Sequence, residues 1–235
     1  RHVGIYEQQA IKAIIKRFPY LQIVIVETAT IFQESQLPFV LSDLDKSFTP
    51  FRKRVEDLVI DKPVTAPTSL PPPIHKKSVI KPIELKANFN GGEVAALLHL
   101  ETYFNSTAPL TYKETRNALD DWQSSTKLSP WLATGALSSK QVIARLSEYE
   151  SQNGANESTH WIKFELLWRE YFQWYALHWG VRLYALKGPH NRNSLTSYHA
   201  ERFRAWREGQ TPYPIINAAM KQLKATGYIS NRARQ

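Results

Sequence analysis

The order of apolar and polar residues predicts two kinds of structure along this chain. Residues 6–17 carry apolar side chains at helical spacing, which predicts a helix that ends before Pro19. Residues 21–26 (LQIVIV) form a short apolar, β-branched run, typical of a strand buried on both faces. A helix followed directly by such a strand is the αβ unit of a parallel sheet, so the chain is predicted to begin as α/β.

A proline-rich stretch divides the chain. Residues 48–59 are predicted to form a short amphipathic helix, and six prolines then fall within residues 63–82. Such a stretch favours an extended backbone without regular structure. We therefore predict a first domain over residues 1–62, an interdomain linker over 63–90 and a second domain over 91–235.

The apolar patterns of the second domain have the helical period. Ser129 followed by Pro130 has the N-cap and first-turn proline of a helix start, and Asn156 to Thr159 supply a cap for a longer helix. The predicted helices cover residues 93–104, 112–119, 130–136, 140–150, 161–179, 198–208 and 215–226. The predicted fold class is therefore α/β followed by all-α.

The most distinctive of these helices covers residues 161–179 (WIKFELLWREYFQWYALHW), where aromatic residues recur at helical spacing. One carboxylate, Glu165, interrupts this stripe, and helical spacing puts it beside Trp161, Trp168 and Arg169. A carboxylate among tryptophans is unfavourable unless it is paired or used. Two interpretations stay open: a core helix with one Glu–Arg pair near its edge, or a functional carboxylate.

Composition excludes several classes of protein. The chain has no Cys, which excludes a disulfide framework and a thiolate metal site, and we predict no metal site. It has no run of 18 apolar residues, so no membrane span is expected. Residues 111–235 carry 17 basic and 10 acidic side chains, a net charge of +7, against +2 for residues 1–110. This concentration favours a polyanionic partner such as nucleic acid, although solubility alone explains it equally well.

Three segments carry groups that suit phosphates. Residues 124–130 (SSTKLSP) place hydroxyl groups and one ammonium group just before a helix start, where anions bind, although ordinary capping gives the same pattern. Tyr112 and Arg116 share one helical face, as a phosphate site or as a surface pair. Residues 227–235 (GYISNRARQ) end in amide and guanidinium groups that suit phosphates and base edges, or form a polar chain end.

Taken in order, these motifs resemble one family. They are Y-x-x-x-R, S-T-K-L-S-P-W-L-A-T-G, E-L-L-W-R-E-Y-F, W-R-E-G-x-T-x-Y-P and A-T-G-Y-I-S-N-R-A-R-Q. This order resembles the cryptochrome/photolyase family, and the ending S-N-R-x-R-Q is most similar to its DASH-type cryptochromes. The resemblance spans nearly the whole chain. It implies that residues 1–62 end a Rossmann-like, antenna-binding α/β photolyase domain and that residues 91–235 are the N-terminal part of a helical FAD-binding domain.

The resemblance also implies roles for matching residues. The positions that match contacts to the FAD pyrophosphate, ribityl chain or ring are Tyr112, Arg116, Ser125, Thr126, Lys127, Leu128, Ser129, Arg169 and Asn231. The positions that match DNA contacts are Glu165, Trp168, Arg169, Phe172, Arg232 and Gln235. Glu165 corresponds to the acid that bonds a flipped pyrimidine dimer, Trp168 to the tryptophan that stacks on it, and Asn231 to the asparagine near flavin N5. These three are therefore the predicted catalytic residues.

The implied activity is blue-light-driven repair of cyclobutane pyrimidine dimers in DNA, in particular single-stranded DNA. Such a deoxyribodipyrimidine photolyase is a carbon–carbon lyase whose flavin donates an electron to the flipped dimer. A folate antenna, 5,10-methenyltetrahydrofolate, is expected between the two domains of the whole protein. We expect a monomeric, cytoplasmic bacterial protein without membrane contact.

Departures from the family pattern leave two alternatives open. Thr196 stands where the family usually has a tryptophan that ends an electron-transfer chain, with Tyr198 nearby. Pro212 and Asn217 replace the usual Gly and Asp of a neighbouring motif. The alternatives are a light-sensing cryptochrome without repair activity and an inactive, truncated DNA-binding fragment.

The extent of the resemblance adds one further expectation. The family has strands before the matching part and a long helical segment after it, so the chain is expected to be a central part of such a protein. One wall of the flavin pocket comes from that later segment. We therefore expect the chain to hold FAD only weakly by itself.

Overall fold

The computed structural model of the chain describes residues 4–69, 72, 89–193 and 195–235. Its α-helices are α1 (Ile5–Arg17), α2 (Phe48–Val55), α3 (Glu93–Phe104), α4 (Tyr112–Thr115), α5 (Ser129–Thr134), α6 (Ser139–Asn153), α7 (Glu157–Trp179), α8 (Ala200–Glu208), α9 (Pro214–Thr226) and α10 (Asn231–Arg234). Short 3₁₀ turns cover Glu34–Gln36, Leu41–Asp43, Ala108–Thr111 and Gly180–Tyr184. The described residues contain no β-strand, and the predicted all-helical second part is confirmed.

The predicted strand over residues 21–26 is wrong. These residues have an irregular backbone after α1, and Val24 and Ile25 are 74% and 61% exposed. A parallel strand needs neighbours along its edges, and the described residues offer none. Helix α1 also buries none of its residues. The α/β unit predicted for the beginning of the chain is therefore absent from the described residues, and most of the predicted linker lies outside them.

Helix starts follow local capping rules. Helix α7 begins before its aromatic stripe because the Asn156 side chain accepts a hydrogen bond from Thr159 N at 2.9 Å, and Thr159 Oγ1 accepts one from Asn156 N at 3.0 Å. Ser129 is the first residue of α5 rather than the N-cap that was predicted. Helix α4 is a single turn, shorter than the predicted 112–119, although Tyr112 and Arg116 keep their spacing.

Helix α7 lies at the centre of the core. Trp174 is fully buried, and the Tyr171 ring packs on Phe51 of α2 at 5.3 Å. Phe48, also of α2, stacks on Trp168 at 3.8 Å. Since α2 precedes the predicted linker, residues from both sides of that linker share one core. The division of the chain into two domains stays a prediction.

Two adjacent residues of α7, Arg169 and Glu170, hold residues 29–32 against the helix. Arg169 Nη1 donates to the carbonyl of Ala29. The fully buried carboxyl group of Glu170 accepts hydrogen bonds from Ile31 N at 2.6 Å, Phe32 N at 3.2 Å and Trp174 Nε1 at 2.7 Å. Burial raises the pKa of Glu170 to about 7, against the lowering effect of these hydrogen bonds. The pair anchors the early part of the chain to its centre.

The described residues contain neither a membrane-spanning helix nor a metal-binding cluster. None of their helices is long and apolar enough to cross a membrane. They also contain no cluster of three or more His, Asp or Glu side chains that could hold a metal ion.

Candidate cofactor-binding site

An open cleft, about 770 Å³ when its solvent-filled mouth is included, brings together the motifs identified in the sequence. It lies between α4, the segment before α5, α7 and the segment that leads into α10. Its lining residues are Tyr112, Arg116, Ala118, Ser125, Thr126, Lys127, Leu128, Ser129, Glu165, Tyr228, Ile229, Ser230, Asn231 and Arg234. All predicted cofactor contacts except Arg169 line this cleft. Residues from four separate stretches of chain therefore face one space.

Glu165 pairs with Arg116 and not with Arg169, the neighbour that helical spacing indicated. Arg116 Nη1 lies 2.7 Å from Glu165 Oε1, and its guanidinium group sits 4.6 Å from the centroid of the Trp161 ring. Burial raises the pKa of Glu165, and the charge of Arg116 lowers it by less. The cleft therefore presents a carboxyl group that takes up a proton more readily than usual.

Lys127 has an unusual conformation and environment. Its φ is 52°, in the left-handed region that few residues other than Gly adopt. The residue is only 6% exposed, and its ammonium group lies 5.4 Å from the centroid of the Tyr228 ring. Burial lowers the pKa of Lys127, and the negative charges of Asp121 and Asp120 offset this only in part. Among the described residues no carboxylate forms an ion pair with this ammonium group, which suits it to an anionic ligand.

The segment around Lys127 is held by side chains of two helices. His99 Nε2 of α3 donates to the carbonyl of Thr126 at 2.8 Å. Thr115 Oγ1 of α4 donates to the carbonyl of Ser124 at 2.8 Å. These two bonds fix the backbone on either side of Ser125, so the hydroxyl groups of the cleft belong to a supported loop.

A second, more apolar cavity, about 570 Å³ when its opening to solvent is included, adjoins the cleft on the side of α6. Its lining shares Tyr112, Leu128 and Glu165 with the cleft and adds Val142 and Ile162. Burial, followed by the charge of Glu165, raises the pKa of the Tyr112 hydroxyl. Glu165 therefore stands where a polar cleft meets an apolar cavity.

Trp168 and Phe172 do not line the cleft. The Trp168 ring stacks on Phe48 at 3.8 Å with an interplanar angle of 16°, and on Phe172 at 5.6 Å with an angle of 26°. Phe172 itself is 58% exposed. A nucleobase that stacks on Trp168 has to compete with Phe48.

Three other predicted site residues have partners within the chain. Arg169 lines the second cavity, but its guanidinium group donates to the carbonyls of Ala29 and Leu132, the latter at 3.1 Å. Arg232 Nη1 donates to Gln235 Oε1 at 3.3 Å on the surface. Their proposed contacts with FAD or DNA stay predictions.

Tyr228 and Arg234 also line the cleft, although neither was among the predicted cofactor contacts. Burial raises the pKa of the Tyr228 hydroxyl, and its interaction with the Ser125 side chain, which joins two of the motifs, lowers that pKa by less. Arg234 follows Asn231 by three residues on α10, so helical spacing could have placed both on one face. Nothing in the local pattern indicated that Tyr228 would cover Lys127.

Known protein sequences match this chain over nearly its whole length. The family model described as the FAD binding domain of DNA photolyase matches residues 161–235. Cryptochrome DASH of Idiomarina loihiensis is 50% identical over 100% of the chain, and cryptochrome DASH of Vibrio parahaemolyticus is 47% identical over 99% of it. These alignments cover 54% and 53% of the two relatives. The chain thus spans about half the length of the curated relatives it matches.

Two solved structures share the fold. A cryptochrome of Synechocystis superposes with a TM-score of 0.91 at 35% identity, covering 100% of this chain and 52% of that one. A bacterial class III photolyase of Agrobacterium tumefaciens superposes with a TM-score of 0.72 at 24% identity, covering 100% and 51%. At 24% identity, the match to the photolyase shows a shared fold only.

Proposed function

This chain belongs to the cryptochrome/photolyase family, and from that premise we propose that its cleft holds the FAD of a photolyase-like flavoprotein. The observation that carries the proposal is the meeting of Arg116, Lys127 and Arg234 with the hydroxyl groups of Ser125 and Thr126 in one cleft. Cationic and hydroxyl groups in this arrangement suit a pyrophosphate.

The residues present fit this cofactor. The buried ammonium group of Lys127 is available to a phosphate, and burial of such a charge is favourable only when an anion joins it. The amide of Asn231 can donate to or accept from a ring edge on the same side as Glu165. FAD supplies the absorption of blue light and the transferable electron. The chain's own contribution is to bind and orient it.

We further propose that the whole protein splits cyclobutane pyrimidine dimers in single-stranded DNA, as a carbon–carbon lyase. In this proposal Glu165 donates a hydrogen bond to a carbonyl of the flipped dimer, which its raised pKa favours. Arg116 keeps the carboxyl group in place, because its Nη1 can donate to Glu165 Oε1 whether or not the other carboxyl oxygen carries a proton. Trp168 supplies an apolar wall once a base displaces Phe48.

Equilibrium dialysis of FAD against the 235-residue chain tests the cleft. We expect a dissociation constant on the order of micromolar or weaker, because the cleft is open on one side. Lys127→Gln should weaken binding about tenfold or more, since a charge-assisted hydrogen bond is lost. Lys221→Gln, which removes an exposed lysine far along α9, is the matched control. Equal affinity of Lys127→Gln and the wild-type chain would contradict the site.

A second candidate function is light sensing without repair, and the stacking of Phe48 on Trp168 favours it. If Phe48 stays in place, Trp168 offers no free surface to a lesion. Light-dependent repair and flavin photoreduction measured on the whole protein separate the two functions. Photoreduction without repair would support sensing, and repair would exclude it as the main role.

The finer organisation is also inferred from the resemblance. We propose that residues 1–62 end an antenna-binding α/β photolyase domain, that residues 63–90 form the linker and that residues 91–235 belong to the FAD-binding domain. We propose a folate antenna, a monomeric state and a cytoplasmic location on the same resemblance. Limited proteolysis of the whole protein, with cleavage expected within residues 63–90, tests the division.

A further inference from the structure

The peptide group between Thr126 and Lys127 is held from the side opposite the cleft. His99 Nε2 of α3 lies 2.8 Å from the carbonyl oxygen of Thr126. A carbonyl oxygen only accepts hydrogen bonds, so Nε2 carries the hydrogen and donates it. Thr126 and Lys127 line the cleft, whereas His99 is not among its lining residues. The imidazole therefore supports this loop from the side of α3.

Packing fixes the direction of this donor. The centroid of the His99 ring lies 4.8 Å from that of the Trp131 ring and 5.7 Å from that of the Trp122 ring. Trp131 is itself buried, and its Nε1 donates to the carbonyl of Asn90 at 2.8 Å. Because two rings restrict the rotation of the imidazole, its Nε2 stays directed at the carbonyl of Thr126.

The hydrogen bond constrains the backbone of Lys127. The φ angle of this residue is 52°, a left-handed conformation that is unfavourable for a residue with a long side chain. Such a conformation persists only where the surrounding structure holds it. A turn of the 126–127 peptide group by about 180° would bring φ into the extended region. The same turn would move the Thr126 carbonyl away from His99, so the hydrogen bond opposes this relaxation.

The same peptide group presents a donor to the cleft. In a trans peptide the C=O and the N–H point in opposite directions, so the Lys127 N–H points away from His99 and toward the cleft. No residue in the described part of the chain accepts a hydrogen bond from this N–H. A turned peptide would present the carbonyl oxygen of Thr126 there instead. That oxygen would repel an anion, whereas the N–H attracts one.

We propose that His99 is a positioning residue for the phosphate part of the cofactor, an inference that rests on the function proposed above. His99 keeps Lys127 in the left-handed conformation, in which the N–H faces the cleft and the buried ammonium group is available to an anion. The imidazole acts through the loop and does not line the cleft. Its effect is therefore expected on the binding of FAD and not on the binding of riboflavin, which carries no phosphate.

Equilibrium dialysis of FAD against variants of the 235-residue chain tests this role. His99→Phe keeps an aromatic ring between the two tryptophans but removes the donor. It should weaken FAD binding about tenfold, because Lys127 then populates mainly the relaxed conformation. His99→Gln, whose amide can donate from a similar position, should recover most of the affinity, and riboflavin should bind wild type and His99→Phe equally. His160→Phe, at an exposed position of α7, is the matched control and should change neither affinity.

A second background separates backbone positioning from ring packing. Glycine adopts a positive φ without strain, so Lys127→Gly removes the tendency of the peptide to turn, although it also removes the ammonium group. In this background His99→Phe should weaken FAD binding only about twofold, because the two peptide orientations are then close in energy. An equal loss in both backgrounds would overturn the proposal, since it would show that His99 acts through packing alone.

Crystal structures of the chain without ligand keep this inference apart from the proposed function. His99→Phe should show Lys127 with a negative φ and the Thr126 carbonyl turned toward the cleft. A φ that stays near 52° in this variant would overturn the inference, even if the wild-type chain binds FAD. A turned peptide in the variant, together with no FAD binding by wild type, would support the hold of His99 on the loop and overturn the proposed cofactor site instead.

Discussion

Glu165 and Glu170 lie on the same helix, yet one faces an open cleft and the other lies in the core. About 100° per residue separates their side chains by roughly 140° around α7. Glu165 pairs with Arg116 at a partly exposed position, whereas Glu170 is fully buried and accepts three hydrogen bonds. Burial raises the pKa of both carboxyl groups. Only the carboxyl group of Glu170 accepts hydrogen bonds from three buried N–H groups.

The difference shows that burial alone does not mark a functional carboxyl group. The carboxyl oxygens of Glu170 are occupied by N–H groups of Ile31, Phe32 and Trp174, so a ligand would find no free acceptor. Glu165 has one charged partner and a cleft on its other side. The first carboxyl group holds the fold together, and the second is available for chemistry.

The largest expected effect is on stability and comes from Glu170, the buried carboxyl group. Glu170→Ala leaves three buried N–H groups without acceptors, and we expect a loss of about 3–5 kcal/mol in the free energy of unfolding. Urea unfolding followed by circular dichroism measures it. Glu157→Ala, at the exposed start of α7, serves as the control. A loss below about 1 kcal/mol for Glu170→Ala would show that water or another group replaces the carboxyl group.

The pH dependence of stability sharpens the same contrast. Burial raises the pKa of Glu170 from 4.5 to about 7, so the folded chain binds more protons than the unfolded chain between these values. The protonated Glu170 side chain therefore stabilises the fold fully below pH 4.5. This contribution to the free energy of unfolding, about 3 kcal/mol, is lost as the pH rises to about 7. Glu170→Gln cannot titrate. The free energy of unfolding of the wild type minus that of the variant should therefore fall across this pH range. A constant difference would contradict the shift.

On the cleft side, the expected effect is on activity. In the whole protein, Glu165→Ala should keep FAD bound but reduce repair per absorbed photon about tenfold, because the dimer loses a hydrogen-bond partner where charge develops. Flavin absorbance and the yield of restored pyrimidines measure the two quantities. Glu148→Ala, at an exposed position of α6, is the matched control. Unchanged repair in Glu165→Ala would remove this residue from the proposed mechanism.

The smallest expected effect is that of Glu165 on stability. Glu165→Gln should change the free energy of unfolding by about 0.5 kcal/mol or less, because partly exposed ion pairs contribute little. The same urea experiment applies. A loss as large as that of Glu170→Ala would mean that both carboxyl groups are structural.

The helices of the second half could be predicted because their signals are local. Asn156 and Thr159 cap α7, and the aromatic period of that helix extends over many turns. Residues 21–26 have an equally clear local signal, but a strand also depends on neighbours that the described residues lack. Local pattern therefore predicted the longer helices, whose hydrogen bonds are internal, but it missed α10 and the 3₁₀ turns. It failed for the strand, whose hydrogen bonds depend on neighbours.

The cleft could be predicted only in part, for the same reason. Tyr112, Ser125 and Asn231 each belonged to a motif with its own chemistry, but no spacing along the chain indicates that the motifs meet. The partner of Glu165 shows the limit most clearly. Helical spacing favoured Arg169, whereas the actual partner, Arg116, is 49 residues away and approaches because α4 packs on α7.

The anchoring of residues 29–32 by Arg169 and Glu170 also constrains the order of events during protein synthesis. Ile31 leaves the ribosome 139 residues before Glu170, its hydrogen-bond partner. At roughly 5–20 residues per second, that interval is on the order of ten seconds. Throughout it, Ile31, Phe32 and the exposed run before them have no helix α7 to bind. The hydrogen bonds that hold Ile31 and Phe32 can therefore form only after α7 has been made.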